Sequence, residues 1–496
     1  MVHLRASLLL AVIASAIPSA YSLGHGDTVT ALFGRHLSPN ATIFLPSDPD
    51  WETDVTQRWS NWSAPSYFGA IKPATEKDVQ NIVKIAAKNN IPFLATGGGH
   101  GTNIGYGTVK NALNIDLSNF KSVKVDAANH RLTVGGAVGQ GDIWGPLYEV
   151  GQEIPTGNAE CVGLVGVTLG GGLGTQQGVF GLALDALVSV RLVTASGDLI
   201  EVSTEKHPDL FWALRGAGAN FGIVTSATYK TYDAVNDGLS VTADFVYTAE
   251  KNRTIWEFLH SFDDESESNF PPELSWSFSV GYNRETAQAT ILVNIVYKGP
   301  VSDAQPYLDR LTAFVPLISD LNYVTWPEVG QKQFFGNNPS ACQDNLYINW
   351  YGLGLGQTDV PTFEGFFGEL VAFLGEHEAY AGSFSVQRYT SKNTVSGPSK
   401  DTVFPWRDTK TQLLFQNRYT DPSLDGEVDA FMKSARAKFQ ATSGFSHPQV
   451  YVNFNHGDEG PAAWYGAHNL PRLVALKKKW DPRSLFGKGS PVPTHL

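Results

Sequence analysis

The chain has 496 residues, a formal net charge of −12, 42% hydrophobic and 12% aromatic residues. That length exceeds one small core and implies two or three domains. With 36 Lys+Arg against 48 Asp+Glu, and no basic run beyond Lys477-Lys478-Lys479, a nucleic-acid-binding face is not expected. The two cysteines, Cys161 and Cys342, exclude a disulfide framework and a cysteine-built zinc site and leave a single disulfide between them open; no metal is expected.

Residues 1–22 read as a signal peptide: Arg5 precedes a short apolar core, Leu8 to Ile17, and Ala20-Tyr21-Ser22 offers small residues for cleavage before Leu23. The apolar run is too short to span a bilayer, and no later run qualifies. Secretion is therefore expected. N-x-S/T sequons at Asn40, Asn61 and Asn252 are then candidate glycosylation sites. Residues 23–66, rich in Ser, Pro and Asn, read as a loop-rich arm.

Residues 67–233 form the first domain. Thr75 caps a helix whose apolar stripe is Val79, Ile82, Val83 and Ala86, and Asn89-Asn90 ends it. Ile91 to Leu94 is a strand that runs directly into glycines. Val188–Val193 and Leu199–Val202 flank Ser196-Gly197-Asp198, a hairpin pattern. Residues 234–446 lose the glycine clusters and alternate strand-like pieces with helices, a second domain of sheet plus helices. Residues 447–496 return to compact motifs. The overall reading is an α+β, two-domain chain.

Three motifs stand out. Thr96-Gly97-Gly98-Gly99-His100-Gly101 follows a strand, and its converging backbone N–H groups suit a diphosphate; a plain glycine turn is the other reading on local grounds. It is neither a Walker A loop nor a helix-opening G-x-G-x-x-G. His100 alone reads as an ordinary loop histidine. Gly163 to Gly174 is half glycine, which suits close approach of backbone to a flat ligand or a packed crossing of chain segments. Asp209 to Gly218 reads as a helix ending at Gly216.

Together these segments resemble one family. They join Phe221-Gly222-Ile223-Val224, Tyr451-Val452-Asn453-Phe454 and Trp480-Asp481-Pro482-Arg483-Ser484-Leu485-Phe486 in an order and spacing similar to the FAD-linked oxidases of the vanillyl-alcohol oxidase/p-cresol methylhydroxylase superfamily. Within it they resemble the berberine-bridge-enzyme-like branch, especially its secreted fungal members. The resemblance implies a p-cresol-methylhydroxylase-type FAD-binding domain and a second domain that covers the isoalloxazine ring. It places the covalent flavin link on His100 and the diphosphate on Thr96, Gly97, Gly98, Gly99 and Gly101. It gives cofactor-lining roles to Gly163, Thr168, Gly171, Gly172, Gly174 and Asn453, with Gly222 and Val224 on the adenine side. A second link, common in the family, requires a cysteine where this chain has Ala159. Cys161 lies two residues on, roughly 7 Å along an extended strand, so a single link through His100 is expected, with Cys161 as the alternative.

The family's end motif finishes in a tyrosine that often acts as base; here it is Phe454. Tyr451, His456, Asp458 and Glu459 are the candidate catalytic groups, and Tyr106, Gln387 and Tyr389 the candidate pocket groups. Trp276, Phe278, Trp326, Trp350 and Tyr351 are aromatic candidates for the same pocket or for the core. The expected reaction is oxidation of a small alcohol, sugar or secondary metabolite by a monomer, with dioxygen as acceptor and hydrogen peroxide as product. The alternative is a redox-neutral isomerase or cyclase in which Glu459 or Asp458 donates a proton.

Overall fold

The computed structural model describes residues 25–266, 268–337, 341–397 and 401–495. The expected signal peptide and its cleavage site before Leu23 lie outside them.

The first sheet contains β1 (Thr42–Phe44), β2 (Tyr67–Lys72), β3 (Phe93–Thr96) and β4 (Ala112–Asp116), in the order β1-β2-β4-β3. β4 runs parallel to both β2 and β3. The helix Glu76–Lys88 covers this sheet. Thr75 and Asp78 close a capping box at its start, and Val79, Ile82, Val83 and Ala86 are fully buried. The arm is more ordered than its composition suggests. It contains the helix His25–Phe33, and β1 pairs antiparallel with β2. Val29 and Phe33, four residues apart on one helical face, bury in the same core as the helix Glu76–Lys88. That apolar pair outweighs the polar residues around it.

The second sheet lies further along the chain. Its strands are β5 (Val123–Asp126), β6 (Arg131–Gly135), β8 (Leu187–Val193), β9 (Leu199–Ser203) and β10 (Ile223–Lys230), and β7 (Gln152–Glu153) pairs separately with β11 (Tyr232–Asp233). β8 and β9 form the expected hairpin across residues 194–198. The third sheet contains β12 (Leu239–Thr248), β13 (Leu274–Asn283), β14 (Gln288–Tyr297), β15 (Ile318–Thr325), β16 (Ile348–Leu355), β17 (Ser383–Tyr389) and β18 (Thr411–Arg418). It is antiparallel throughout, in the order β15-β12-β14-β13-β17-β18-β16.

The period-2 alternation of a strand gives this sheet two unlike faces. Trp276, Phe278, Ile291, Val293, Ile295, Tyr351, Phe384 and Phe415 point into an apolar core under the helices Asn252–His260, Val360–Glu376 and Asp425–Thr442. Trp276, Phe278 and Tyr351 are therefore core residues rather than pocket aromatics, and Trp326 is buried in the core of the first domain. The intervening positions, among them Thr242, Asp244, Ser275, Ser277, Asn294, Gln387 and Gln412, make the opposite face polar. That face turns toward the C-terminal segment and the first domain: a Cβ on Gly352 would stand 2.6 Å from the Phe454 carbonyl oxygen. The chain Asn158–Gln333–Asn294–Asp244 bridges that face and the first domain by side-chain hydrogen bonds of 2.6–2.8 Å.

The last fifty residues lie against the first domain. Asn220 is their anchor. Its amide nitrogen donates to Tyr465 Oη and the Ser490 carbonyl, and its amide oxygen accepts from Val492 N–H. Lys477, fully buried with Asp481, donates to the Asn220 carbonyl.

Candidate active site

A cavity of about 380 Å³ opens between the glycine loop, the helix Leu164–Gly170, the Gly216–Val224 segment, β16 and the C-terminal tail. Its floor is backbone. A Cβ on Gly98 would meet Gly163 N at 2.8 Å, and one on Gly97 would meet the Gly136 carbonyl at 3.1 Å. Gly99 has φ +72°, and a Cβ there would stand 2.4 Å from the Gln57 carbonyl, so both conformation and space demand glycine. Thr96 ends β3 with its hydroxyl donating to Asn114 Oδ1 at 2.8 Å.

His100 lies in the cavity wall. Its ring stacks on Trp59, 5.6 Å between centroids, and Trp59 N–H donates to the Gly99 carbonyl at 3.2 Å. Burial, reinforced by the Arg58 guanidinium, lowers the His100 pKa to about 4, so the imidazole is neutral at physiological pH. Arg58 donates to the Gly101 carbonyl and lies over the Tyr106 ring at 4.8 Å. Nothing in the sequence singles out Arg58 or Trp59, because both sit in the arm. The tail adds Leu485 to Ser490, and Asn103, Asn455 and Ser490 are joined by hydrogen bonds of 2.9 and 2.7 Å.

The wall fits a flavin dinucleotide. Glycine backbone lets flat rings approach closely, Arg58 and Lys488 supply positive charge for a diphosphate, and His100 presents a neutral ring nitrogen. FAD would be held by Thr96 to Gly101, Gly163, the Gly222–Val224 segment and Asn453, all of which line the cavity.

Several expected residues lie elsewhere. Thr168 is fully buried, donating to the Leu164 carbonyl at 2.7 Å and accepting from Tyr229 at 3.1 Å. Gly171, Gly172 and Gly174 are not in the cavity wall. A Cβ on Gly171 would meet Tyr451, one on Gly172 would meet Ala183, and one on Gly174 would stand 1.8 Å from the Thr156 carbonyl. These glycines serve a crossing of chain segments, the other reading their sequence leaves open. In their place Val165, Gly166, Leu169 and Gly170 line the cavity. Tyr106 does line the cavity, beside Gly101 and Gly489. Gln387 and Tyr389 lie outside the wall. Tyr389 donates to Gln387 Oε1 at 3.2 Å and packs with Leu173, Phe404 and Tyr451.

The acidic end motif is an anchor. Glu459 accepts from Arg436 at 2.6 Å, from His456 N and Gly457 N at 3.0 Å, and from Trp464 Nε1 at 3.0 Å. Asp458 accepts from Arg436 at 2.7 Å; burial opposes its charge, but that contact holds its pKa below the usual carboxylate range. His456 stacks on Tyr351 at 3.7 Å. None of the three lines the cavity, and their contacts with Arg436, Tyr351 and backbone N–H groups are those of an anchor. Tyr451 is also buried, but it packs edge-on against the cavity residue Phe454 at 4.9 Å. Its oxygen accepts from Gly172 N at 3.0 Å and Asn453 Nδ2 at 2.7 Å. Burial raises its pKa, and these donors pull the other way.

Cys161 forms a disulfide with Cys342, which removes it as an attachment point. Asn40 and Asn61 are exposed. Asn252 is not a free glycan acceptor: its amide donates to the Glu364 carbonyl at 3.1 Å and accepts from Trp256 Nε1 at 2.6 Å. Among the described residues no cluster of three or more His, Cys, Asp or Glu could hold a metal, and no helix is long and apolar enough to cross a membrane.

A glycine-floored cavity with His100 in its wall, closed by the C-terminal tail and by Trp350 of β16, fits a flavin-dependent oxidoreductase. Comparison with known proteins agrees. The family model for an FAD binding domain matches residues 69–203, and that described as berberine and berberine like matches residues 450–493. FAD-linked oxidoreductase azaL of Aspergillus niger is 49% identical over 453 residues, 90% of this chain and 95% of that protein. FAD-linked oxidoreductase tazL of Aspergillus terreus is 43% identical over 485 residues, 98% of each chain. In fold, BBE-like 1 of Physcomitrella patens superposes with a TM-score of 0.81 at 20% identity, covering 94% of this chain and 99% of that one. The Acremonium strictum glucooligosaccharide oxidase gives 0.81 at 21% identity, covering 94% and 98%. The chain belongs to the FAD-linked oxidoreductases, in their berberine-bridge-enzyme-like branch.

Proposed function

We propose that this oxidoreductase is a secreted oxidase whose FAD is attached through His100 alone, and that it takes a hydride from the carbon of an alcohol, sugar or secondary metabolite. The observation that carries this reading is His100 itself, a neutral imidazole in the wall of the glycine cavity, stacked under Trp59. The Acremonium strictum enzyme is described with a 6-S-cysteinyl, 8α-N1-histidyl FAD. Here the cysteine nearest the corresponding place is tied to Cys342, which supports a single link. Bound FAD supplies the hydride acceptor and returns the electrons to oxygen.

The substrate loses a hydride and a proton, and dioxygen takes up two electrons and two protons as hydrogen peroxide. Trp350 and Phe454 wall the cavity, and Trp350 packs on Trp59, the ring that stacks on His100. Tyr451 is the group we assign to the proton, because it packs against Phe454 of the cavity wall and because the Gly172 N–H and Asn453 Nδ2 donors at its oxygen offset part of the burial that raises its pKa. The redox-neutral alternative relies on Glu459 or Asp458 as proton donor, and both are engaged by Arg436 outside the cavity. The disulfide supports an oxidising compartment.

The test is an oxygen-electrode screen of alcohols, sugars and phenols with peroxidase-coupled detection. One mole of peroxide per mole of oxygen consumed supports the reading. Turnover of a substrate without oxygen uptake contradicts it.

A further inference from the structure

Three chain segments meet beside His100, and only one belongs to the glycine loop. The arm, residues 57–61, runs across the loop: Trp59 N–H donates to the Gly99 carbonyl, and the Gln57 carbonyl occupies the space a Gly99 Cβ would need. On its other side the arm pairs with a segment just before β16. Asn345 N–H donates to the Arg58 carbonyl at 2.8 Å, Leu346 N–H to the Trp59 carbonyl at 3.0 Å, and Asn61 N–H to the Leu346 carbonyl at 2.7 Å. The Trp59 indole N–H donates to the Ala341 carbonyl at 2.8 Å. The Trp59 ring that stacks on His100 is thus held along its backbone and at its indole nitrogen by residues 341–346.

Those residues come from the second domain, and Cys342 among them lies 181 positions after Cys161. Cys342 fastens them to Cys161, and the Cys161 carbonyl lies 3.2 Å from the Cβ position of Gly98 on the cavity floor. The bond therefore closes a ring of four parts: cavity floor, glycine loop, arm and 341–346 segment. We propose that the Cys161–Cys342 disulfide is a positioning element of the flavin site, holding the 341–346 segment so that Trp59 stays packed on His100. Its consequence for flavin attachment rests on the His100 linkage proposed above; its effect on the arm does not.

The test is amide hydrogen exchange, read by mass spectrometry, on the holoenzyme and on the Cys161→Ser/Cys342→Ser double variant, with the wild-type protein reduced by a phosphine as a second route to the open form. Exchange at Trp59, Asn61 and Leu346 is expected to rise about tenfold or more, with the helix Glu76–Lys88 unchanged. Unchanged exchange in the arm overturns the proposal, and so does an equal rise throughout the chain, which marks global loosening. A second readout is the fraction of flavin that stays with acid-precipitated protein. It is expected to fall in the double variant and in Trp59→Phe, which loses the indole N–H contact to Ala341, with no further fall when the changes are combined. Additive losses overturn the coupling. Flavin that washes out of the wild type tells against the His100 linkage and leaves the exchange result to decide the positioning role.

Discussion

Replacing Glu459 by Gln separates an anchoring role from a catalytic one. The carboxylate is buried and accepts four hydrogen bonds, two on each oxygen. A glutamine fits the space but keeps one acceptor oxygen. With that oxygen facing Arg436 and His456 N–H, the new NH2 group faces Gly457 N–H and Trp464 Nε1–H, and two buried donors lose their acceptor. Each costs roughly 1–3 kcal/mol, so the variant loses about 2–6 kcal/mol before any weakening of the Arg436 pair. The assay is chemical unfolding followed by fluorescence, alongside flavin content and turnover per bound flavin. The expected result is a large fall in stability with turnover per flavin within a factor of about three of wild type. A stable variant whose turnover falls a hundredfold or more would refute the anchoring role and restore Glu459 as a proton donor.

Other consequences are as direct. Gly98→Ala places a Cβ 2.8 Å from Gly163 N, so backbone must move, costing about 1–3 kcal/mol and lowering the flavin-to-protein absorbance ratio. Gly174→Ala, with its Cβ position 1.8 Å from the Thr156 carbonyl, is expected to yield no folded protein; full flavin content in either contradicts the close-approach argument. In flavin-free protein, His100 stays neutral down to about pH 4 when folded, whereas the unfolded chain protonates it near 6.5. Its contribution is therefore complete above pH 6.5 and is lost as pH falls toward 4, about 3 kcal/mol in all. The wild-type minus His100→Gln difference in unfolding free energy should slope only in that window; a flat difference contradicts the buried, neutral imidazole. Tyr451→Phe is expected to keep its flavin and lose between about a hundredfold and ten-thousandfold in kcat; unchanged kcat would remove it as the base.

Local physics made much of the scaffold legible. Thr75 announces a helix start, and the structure completes it as a capping box with Asp78, three residues on. The hairpin of β8 and β9 follows from strands flanking a glycine turn. The glycine loop and His100 stood out through the resemblance of the whole set of motifs, since on local grounds they also read as a plain turn and an ordinary loop histidine. What escaped was set by distant partners. Arg58 and Trp59 look like any residues of a polar arm until Gly99, Ala341 and Leu346 are brought beside them. The pairing of Cys161 with Cys342 spans 181 positions and has no local signature. Asp458 and Glu459 read as titratable groups beside an end motif, and only the helix Asp425–Thr442, by delivering Arg436, turns them into anchors. Gly171, Gly172 and Gly174 belong to the same run as Gly163, Gly166 and Gly170, yet face a different neighbour.

Purified enzyme, denatured in acid, washed and digested, should yield one flavin-bearing peptide by mass spectrometry, with the modification on His100, and the His100→Ala variant should release all its flavin to the supernatant. Flavin that washes out of the wild type, or a flavin-bearing peptide that contains Cys161 or Cys342, would contradict the account.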